Sequence, residues 1–496
     1  MSARLPLLYK TPFQLDPTPL TEASSPHAGA LAISRVFRSL GLPGMIGANL
    51  QLRKRQRGFS EGQMIESILL LQSIVGACPQ DTRLLADDPC LERGLGYVFP
   101  KTTAVREFLE LFHDESLESL RPPREEQKSF IFPSSEPLEQ LQTVLAGSVG
   151  RIAKEYERHG VALRMATIDQ DATIIESHKK AALYHYEGGR GYQPMVAVWA
   201  EADLVVADEY RDGNVPAKQE PLNCAKLAFA ALPSSVKERY FRGDSACHEN
   251  DLIQWLKDPA RAKEPGGAIW FAISAVMSGP LTQAVAKIPE KQWTTLGQEE
   301  DGTLRQWAEV DFVPGDPVEK KESRPLSYVG VRLLKAQGEL FADGSDRHHH
   351  AVITNMELDG GRLIDWHREK AGTIEHVHDE VKNELGGKHV PSQRFGVNAA
   401  WFKLSLLAYN LVSAIKGLCF EAQERTARMK QFRILLIHLM GRMNRNNCVM
   451  GLRLCASEKA IARMSKVWEV FELPTQATSV TATGRGGGLR NRKKKS

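Results

Sequence analysis

The stretch "LRMATIDQDATII", residues 163–175, decides the fold. It is rich in β-branched residues and alternates apolar with polar positions, which predicts a strand. Asp169 and Asp171 lie two apart on this strand, and side chains two apart point to the same face. The next patterned segment, "YQPMVAVWAEADLVVADEYRDGN" (192–214), predicts two further strands joined by a turn around 201–203.

Helices and strands alternate beyond this point. "AKLAFAALPSSVKERY" (225–240) begins as a helix and ends in a strand, "HENDLIQWLK" (248–257) is helical, and "GAIWFAISAV" (267–276) is a strand. The resulting order is β-β-β-α-β-α-β. Three leading strands favour an antiparallel meander, and the later alternation favours parallel pairing. The fold class that this order predicts is α/β, with a mixed sheet flanked by helices.

The rest of the chain divides around this core. We predict an N-terminal arm and helical region, a first core part, a β-rich insertion, a second core part, and a C-terminal helical region with a basic tail. The expected boundaries are 1–160, 161–277, 278–350, 351–420 and 421–496.

Composition excludes several classes of protein. The 496 residues are 42% hydrophobic and 25% charged, as in ordinary globular proteins. No apolar run reaches the ~18 residues of a membrane span, and the first residues lack a signal-peptide core. The 7 cysteines are scattered without a C-x-x-C pair, which indicates reduced thiols and no zinc knuckle. We therefore expect a cytoplasmic, nucleoid-associated protein.

Basic residues are clustered although the net charge is only +4. "LRKRQRG" (52–58) is one cluster, 425–445 is a second, and the terminal "GRGGGLRNRKKKS" (484–496) is a third. Clustered Lys and Arg are typical of polyanion binding. Candidate phosphate contacts in the second and third clusters are Arg425, Arg428, Arg433, Arg492, Lys493, Lys494 and Lys495.

A charged helix is predicted over "GTIEHVHDEVKNELG" (372–386), with Thr373 at its start and glycines at its end. Glu375 and Lys382 lie on one side of it. Its two histidines are two positions apart, about 200° round a helix, so they do not close on one ion. Zinc helices place their histidines four apart instead, which argues against a zinc hydrolase.

Carboxylates stand at three places in this pattern. Asp169 and Asp171 lie on the first strand, Asp244 follows the strand "RYFRG", and Glu375 lies on the late helix. Such a set can hold two Mg²⁺ or Mn²⁺ ions, which prefer oxygen ligands. Two ions about 3.5–4 Å apart activate a water or a DNA 3′-OH for in-line phosphoryl displacement. Each acid taken alone is as well explained as an ordinary surface carboxylate.

Four stretches carry a family resemblance. They are "TIDQDATIIESHKKAALYHYEGGRGYQPMVAVW", "DEYRDGNVPA", "RYFRGDSACHENDLIQWL" and "REKAGTIEHVHDEVKNELGGKHVPSQRFGVNAAWFKLSLLAYNL". Over about 161–420, the chain resembles the DDE transposases of bacterial insertion sequences, specifically insertion-sequence family thirteen-eighty. The resemblance implies a ribonuclease H-like catalytic core with a β-strand insertion domain.

The resemblance also assigns catalytic and metal-binding roles. Asp244 takes the second acidic position and Glu375 the third. Family members often have Asp-x-Thr at the first position, which favours Asp171 before Thr173, while Asp169 stays an alternative.

The basic half of the family signature is only partly kept. Lys382 keeps the lysine seven positions after Glu375, but Ala371 stands where relatives have arginine. Arg368 stands at the tyrosine position, and either Arg368 or Lys370 would supply the missing cation to DNA.

By resemblance, the activity is cut-and-paste transposition. A homodimer would bind terminal inverted repeats of double-stranded DNA through 1–160 and the basic clusters, cleave the ends with Mg²⁺ and join them to target DNA. Trp293 and Trp307, in the insertion, are either base-stacking or core residues. The alternatives are a ribonuclease H-like nuclease or resolvase that cuts without joining, and a DNA-binding descendant without catalysis.

Overall fold

The N-terminal third of the chain is helical, as its periodicity predicts. The computed structural model describes residues 23–53, 58–74, 78–126, 128–314, 326–336, 338–446 and 449–473. The first elements are strand β1 (Ser24–Ser25) and helices α1 (Leu31–Ser39), α2 (Leu42–Asn49), α3 (Glu61–Ile74), α4 (Thr82–Leu85), α5 (Pro89–Leu95), α6 (Thr102–Glu110), α7 (Glu115–Glu118) and α8 (Glu136–Arg158). In α8, apolar residues three and four apart form one buried stripe.

Most strands follow in the middle of the chain. They are β2 (Met165–Ala172), β3 (Ile175–Glu176), β4 (Leu183–Tyr184), β5 (Arg190–Tyr192), β6 (Met195–Trp199), β7 (Leu204–Glu209), β8 (Glu238–Gly243), β9 (Ile269–Ser274), β10 (Thr294–Gln298), β11 (Leu304–Val310), β12 (Ser327–Leu334) and β13 (Arg347–Thr354). The helices between and after them are α9 (Pro221–Ala230), α10 (Asn250–Lys257), α11 (Gly279–Ala286), α12 (Gly360–Asp379) and α13 (Phe395–Cys419).

A mixed nine-stranded sheet forms the centre, in the order β10-β11-β12-β13-β9-β8-β2-β6-β7. Strands β2, β6 and β7 form the predicted antiparallel meander. Strand β8 is parallel to β2, and β9 is parallel to β8, as the helical crossovers predicted. The carboxyl ends of β2 and β8 therefore meet at the same edge of the sheet.

The β-rich segment 278–350 continues this sheet. Strand β13 pairs antiparallel with β9, and β12, β11 and β10 follow outward as hairpins. The pairing satisfies the backbone groups that β9 would otherwise leave open at a sheet edge. The sequence pattern predicted strands here, but not that they would extend the central sheet.

Helix α12 begins earlier than predicted. Asp359 caps it by accepting the N–H of Arg362 at 3.1 Å. Thr373, which we predicted to be the cap, lies inside the helix, so that prediction is wrong. The helix continues into a π-helical turn at Glu380–Glu384, and the chain then turns at Gly386 with φ 74°.

Helix α13 is long and apolar enough to cross a membrane by length and composition. However, 83% of its most apolar window is buried inside the structure. It packs against α3, α8 and strand β7, so it serves as a core helix.

The C-terminal region is not wholly helical. It contains α14 (Met429–Phe432), β14 (Met440–Asn446), β15 (Val449–Cys455) and α15 (Glu458–Val470). We predicted helical sequence through 445, but β14 and β15 form a hairpin that pairs with β1. Gly441 and two asparagines in β14 have low helix propensity, which accounts for the difference.

Candidate active site

Two carboxylates lie at neighbouring strand ends. The parallel register places Gln170 of β2 opposite Gly243 of β8, so the next residue after each of them, Asp171 and Asp244, lies at the same level. Asp244 begins a tight turn, and its carboxylate accepts the N–H of Ala246 at 3.1 Å. Backbone pairing, rather than side-chain contact, therefore brings these two acids to one edge.

Lys370 of α12 provides positive charge at this edge. Its Nζ lies 3.2 Å from Asp171 Oδ2. Burial alone would lower the pKa of Lys370, but Asp171 and Asp244 outweigh burial and raise it. Burial and the charge of Asp171 raise the pKa of Asp244, and Lys370 offsets part of that shift. Two acids that share one lysine form a site with excess negative charge.

Asp169 belongs to a different, closed cluster. Arg242 binds it with two parallel hydrogen bonds, Nε to Oδ1 at 2.6 Å and Nη2 to Oδ2 at 2.9 Å. The Thr373 hydroxyl also donates to Asp169. The side chains of Asp169 and Arg242 are only 0% and 2% exposed. Both carboxylate oxygens of Asp169 are thus occupied inside the protein, and Asp171 is the acid that faces Asp244 and Lys370.

Arg242 also fixes helix α12 to the sheet. Its Nη1 donates to the Trp366 carbonyl at 2.6 Å, and its guanidinium lies 5.1 Å from the centre of the Trp366 ring. Together with the Thr373 contact, this cluster determines where Lys370 stands relative to Asp171.

Glu375 lies on another side of α12. Thr373 faces β2, and two residues correspond to about 200° of helical rotation. Glu375 is exposed and lines an open cavity of about 540 Å³ together with Asp244 and Lys370. Among the described residues, no three His, Cys, Asp or Glu side chains stand close enough to hold a metal ion together. The structure thus brings Asp171 and Asp244 together at one edge of the sheet, and Glu375 lines the same cavity as Asp244.

Basic side chains also line the cavity. Arg305 of β11 and Arg368 of α12 line it, and both contact Glu299. His350 of β13 lines it as well. Arg368 was a predicted DNA contact and lies where it can meet a bound polyanion, whereas Lys370 faces the carboxylates instead.

The histidines of α12 do not act as a pair. Burial lowers the pKa of His378 to about 4, and Asp171 opposes the shift only in part. His376 lies 3.6 Å from Glu380. Neither geometry is that of a zinc helix.

Three other predicted DNA contacts have partners within the protein. Lys382 Nζ lies 3.5 Å from the Ile174 carbonyl, and Arg425 donates to the Phe420 carbonyl at 3.2 Å. Arg428 pairs with Asp379, and half of its side chain is exposed.

Arg433 does not fit a phosphate contact. Its guanidinium binds Glu384 at 3.0 Å and the Ser73 carbonyl at 2.9 Å, and it is largely buried. Arg433 therefore joins α3 to the π-helical turn at Glu380–Glu384, which is a structural role. The basic residues 54–57 and 492–495 lie outside the described residues.

The two tryptophans of the insertion are packed. Trp293 is 8% exposed, and Arg332 lies 4.4 Å from the centre of its ring. Trp307 lies against the start of α12, where a side chain on Gly360 would collide with its ring. Trp293 is therefore a core residue, and Trp307 is a contact between the insertion and α12.

Sequence reasoning missed Arg242 and misassigned Thr373. A buried arginine in a strand, "RYFRG", is itself unusual because such a charge needs a buried partner. That signal points to an acid on a neighbouring strand, but it does not identify which one.

Comparison with known families identifies the family of the chain. A model of the family described as transposase DDE domain group 1 matches residues 21–473. The chain belongs to this family of DDE transposases. No curated protein sequence matches the chain. Among solved structures, the chain is similar to the piggyBac transposase in a cryo-EM structure of its synaptic complex with hairpin DNA, with 10% identity, a TM-score of 0.39, and coverage of 92% of this chain and 82% of that one.

Proposed function

We propose that the protein is a cut-and-paste transposase with a ribonuclease H-like core. It binds the terminal inverted repeats of its element as a homodimer, cleaves the DNA ends with Mg²⁺ and transfers the 3′-OH groups to target DNA. The strand order β7-β6-β2-β8-β9, with its meander and two parallel neighbours, supports the core assignment. The residue pattern around Asp244 and Glu375 supports a relationship to insertion-sequence family thirteen-eighty.

The donor set fits a divalent cation. Asp171 and Asp244 offer oxygen ligands, which Mg²⁺ and Mn²⁺ prefer. Their edge already attracts Lys370, and burial raises the pKa of Asp244, so a bound cation would relieve a charge imbalance. When bound, two such ions activate the attacking hydroxyl and stabilise the leaving oxygen.

The protein's own residues position the DNA. Asp171 and Asp244 hold the reacting centre at the sheet edge, and Glu375 joins them from the cavity wall. Lys370, which lies beside Asp171, would supply positive charge to a phosphate oxygen of the scissile strand if divalent cations balanced the carboxylates. Arg305 and Arg368, which line the same cavity, hold the flanking phosphates.

One observation carries this proposal: in a chain of the DDE family, Asp171 and Asp244 lie next to each other at the ends of the parallel strands β2 and β8. The test is to incubate the protein with its flanking repeat DNA, a target plasmid and Mg²⁺, and to map the broken and joined ends. Breaks at the repeat boundary with joined products are expected. Breaks without joining would identify a nuclease or resolvase, and binding without breaks a non-catalytic protein.

A further inference from the structure

A small three-stranded sheet projects from the strand that carries Asp171. It has the order β3-β5-β4. At its base, Ala172 pairs with Met195, and the Thr173 N–H donates to the Pro194 carbonyl at 3.0 Å. The projection therefore leaves the central sheet directly beside Asp171, at the edge where Asp244 lies.

The tip of this projection is a specified turn. The Gly188 N–H donates to the His185 carbonyl at 3.0 Å, and the His185 N–H donates to the Gly189 carbonyl at 2.9 Å. Gly188 has φ 90°, and a Cβ on Gly189 would come within 2.6 Å of the buried His185 ring. These constraints leave Tyr186 and Glu187 at the corner of the turn.

Tyr186 is 78% exposed, more than any other large apolar or aromatic side chain in the described part of the chain. Tyr184, two residues earlier, is also exposed, and the Arg190 guanidinium lies 4.7 Å from the centre of its ring. Arg190 also donates to the Tyr184 hydroxyl at 3.1 Å. Exposed rings beside a cation are what proteins use to bind nucleic-acid bases and their phosphates.

The turn lies close enough to the acids to be affected by their charge. Slight burial and the neighbouring Glu187 raise the pKa of the Tyr186 hydroxyl, and Asp171 and Asp244 add to the shift. Because the small sheet leaves the central sheet beside Asp171, a base that stacks on Tyr186 would belong to a nucleotide near the reacting phosphate.

We propose that Tyr186, supported by Tyr184 and Arg190, is a stacking platform for an unpaired base at the DNA end. This inference rests on the proposed function, because it takes DNA as the substrate. Base stacking was one interpretation of Trp293 and Trp307, but both are packed in the structure. The inference assigns base stacking to the β4–β5 turn instead. Pulling one base out of the duplex would hold the scissile strand against Asp171 and Asp244.

The test compares two fluorescent duplexes that both carry the flanking repeat sequence, one fully paired and one with a few unpaired nucleotides at the end of the repeat. Binding is measured by fluorescence anisotropy in Ca²⁺. Stacking on an aromatic ring contributes about 1–3 kcal/mol per base, so Tyr186→Ala should weaken binding of the unpaired-end duplex about 5- to 150-fold. Its affinity for the paired duplex should change less than about twofold. Tyr186→Phe should bind both like the wild type.

Trp270→Ala removes another exposed ring, on β9, and serves as the matched control. It should leave the preference for the unpaired end intact. If Tyr186→Ala weakens both duplexes equally, or neither, the stacking inference is overturned while DNA binding stands. If the wild type binds neither duplex, the proposed function itself fails, and the inference fails with it.

Discussion

Two acid–base clusters are built from the same three elements, β2, β8 and α12, yet they differ in character. In one, Asp169 is enclosed by Arg242 and Thr373. In the other, two residues further along β2, Asp171 and Asp244 share the positive charge of Lys370, and both Asp244 and Lys370 line an open cavity. The first, the enclosed cluster, has a full set of partners and little contact with water. The second, the open cluster, has more negative charge than its single lysine balances.

The difference shows how position along a strand determines an acid's role. Asp169 and Asp171 have the same side-chain chemistry and point to the same face. Asp169 lies within the paired length of β2 and β8, where the buried Arg242 and the Thr373 hydroxyl offset the cost of its burial. Asp171 lies level with Asp244, beyond the last residue of β8, and next to Lys370, which lines the open cavity.

The largest expected effect is loss of activity when the charge of the open cluster is removed. Asp244→Asn keeps the acceptor for the Ala246 N–H but removes the charge of the open cluster. Loss of a metal ligand removes several kcal/mol of transition-state stabilisation, about 10³-fold or more in rate. We expect loss of cleavage and strand transfer in Mg²⁺, measured on labelled repeat DNA, with binding changed less than about twofold because it rests on phosphate contacts.

The exposed Asp251→Asn, in the first turn of α10, is the matched control and should cleave like the wild type. Glu375→Gln should lose activity as fully as Asp244→Asn, because both carboxylates line the same cavity. Cleavage at a near-normal rate by Asp244→Asn or by Glu375→Gln would contradict the assignment of the open cluster as the catalytic site.

The second effect separates the clusters by stability. Arg242→Met leaves Asp169 buried without its partner, which should lower the free energy of unfolding by about 3–5 kcal/mol. Arg158→Met breaks an exposed pair with Glu155 and should lower it by less than about 1 kcal/mol. Urea unfolding monitored by circular dichroism measures both. Equal losses would show that the enclosed cluster is not a buried ion pair.

The sequence predicted the elements around these clusters better than the clusters themselves. The meander, the parallel strands and the position of Asp244 at a strand end all follow from local alternation and order. The choice between Asp169 and Asp171 does not, because the deciding contact comes from Arg242 on another strand. Family resemblance favours Asp171, and the contacts of Asp169 with Arg242 are compatible with that prediction.

Helix α12 shows the same limit. Glycines at its end marked the stop correctly, but its start was placed at Thr373 because a threonine before an apolar residue is a common cap. The true cap, Asp359, precedes two glycines, which have poor helix propensity. Those glycines are needed because Trp307 packs against them, and that contact with β11 has no local signal.

The third effect concerns cations. A ligand that binds only the folded state stabilises it by about 2.7 kcal/mol at 100 times its Kd. Mg²⁺ or Mn²⁺ should therefore raise the melting temperature of the wild type, by an amount on the order of a few degrees. Asp244→Asn should lose most of this rise, and Asp251→Asn should keep it. An equal rise in all three proteins would place the ions at some other site.

The smallest effect is the pH dependence of stability without metal, and it tests the electrostatic difference between Asp244 and an ordinary surface acid. Burial, and then the charge of Asp171, raise the pKa of Asp244 above its usual 3.8. The folded protein therefore keeps this proton to a higher pH than the unfolded chain does. As the pH rises from 3.8 through the raised value, the folded state holds more protons than the unfolded state, and stability falls. Asp244→Asn removes this loss, so its advantage over the wild type should grow with pH across that window.

Asp343 provides a control with the opposite sign. Hydrogen bonds from Ser345, and then His348, lower the pKa of Asp343 to about 2. Its contribution is therefore present above its usual 3.8 and disappears as the pH falls toward 2. Urea unfolding in chelator at several pH values should show Asp244→Asn gaining on the wild type, and Asp343→Asn losing, as the pH rises. Two differences that slope in the same direction would mean that the pKa of Asp244 is not raised in the folded protein, which would contradict the effects of both burial and Asp171.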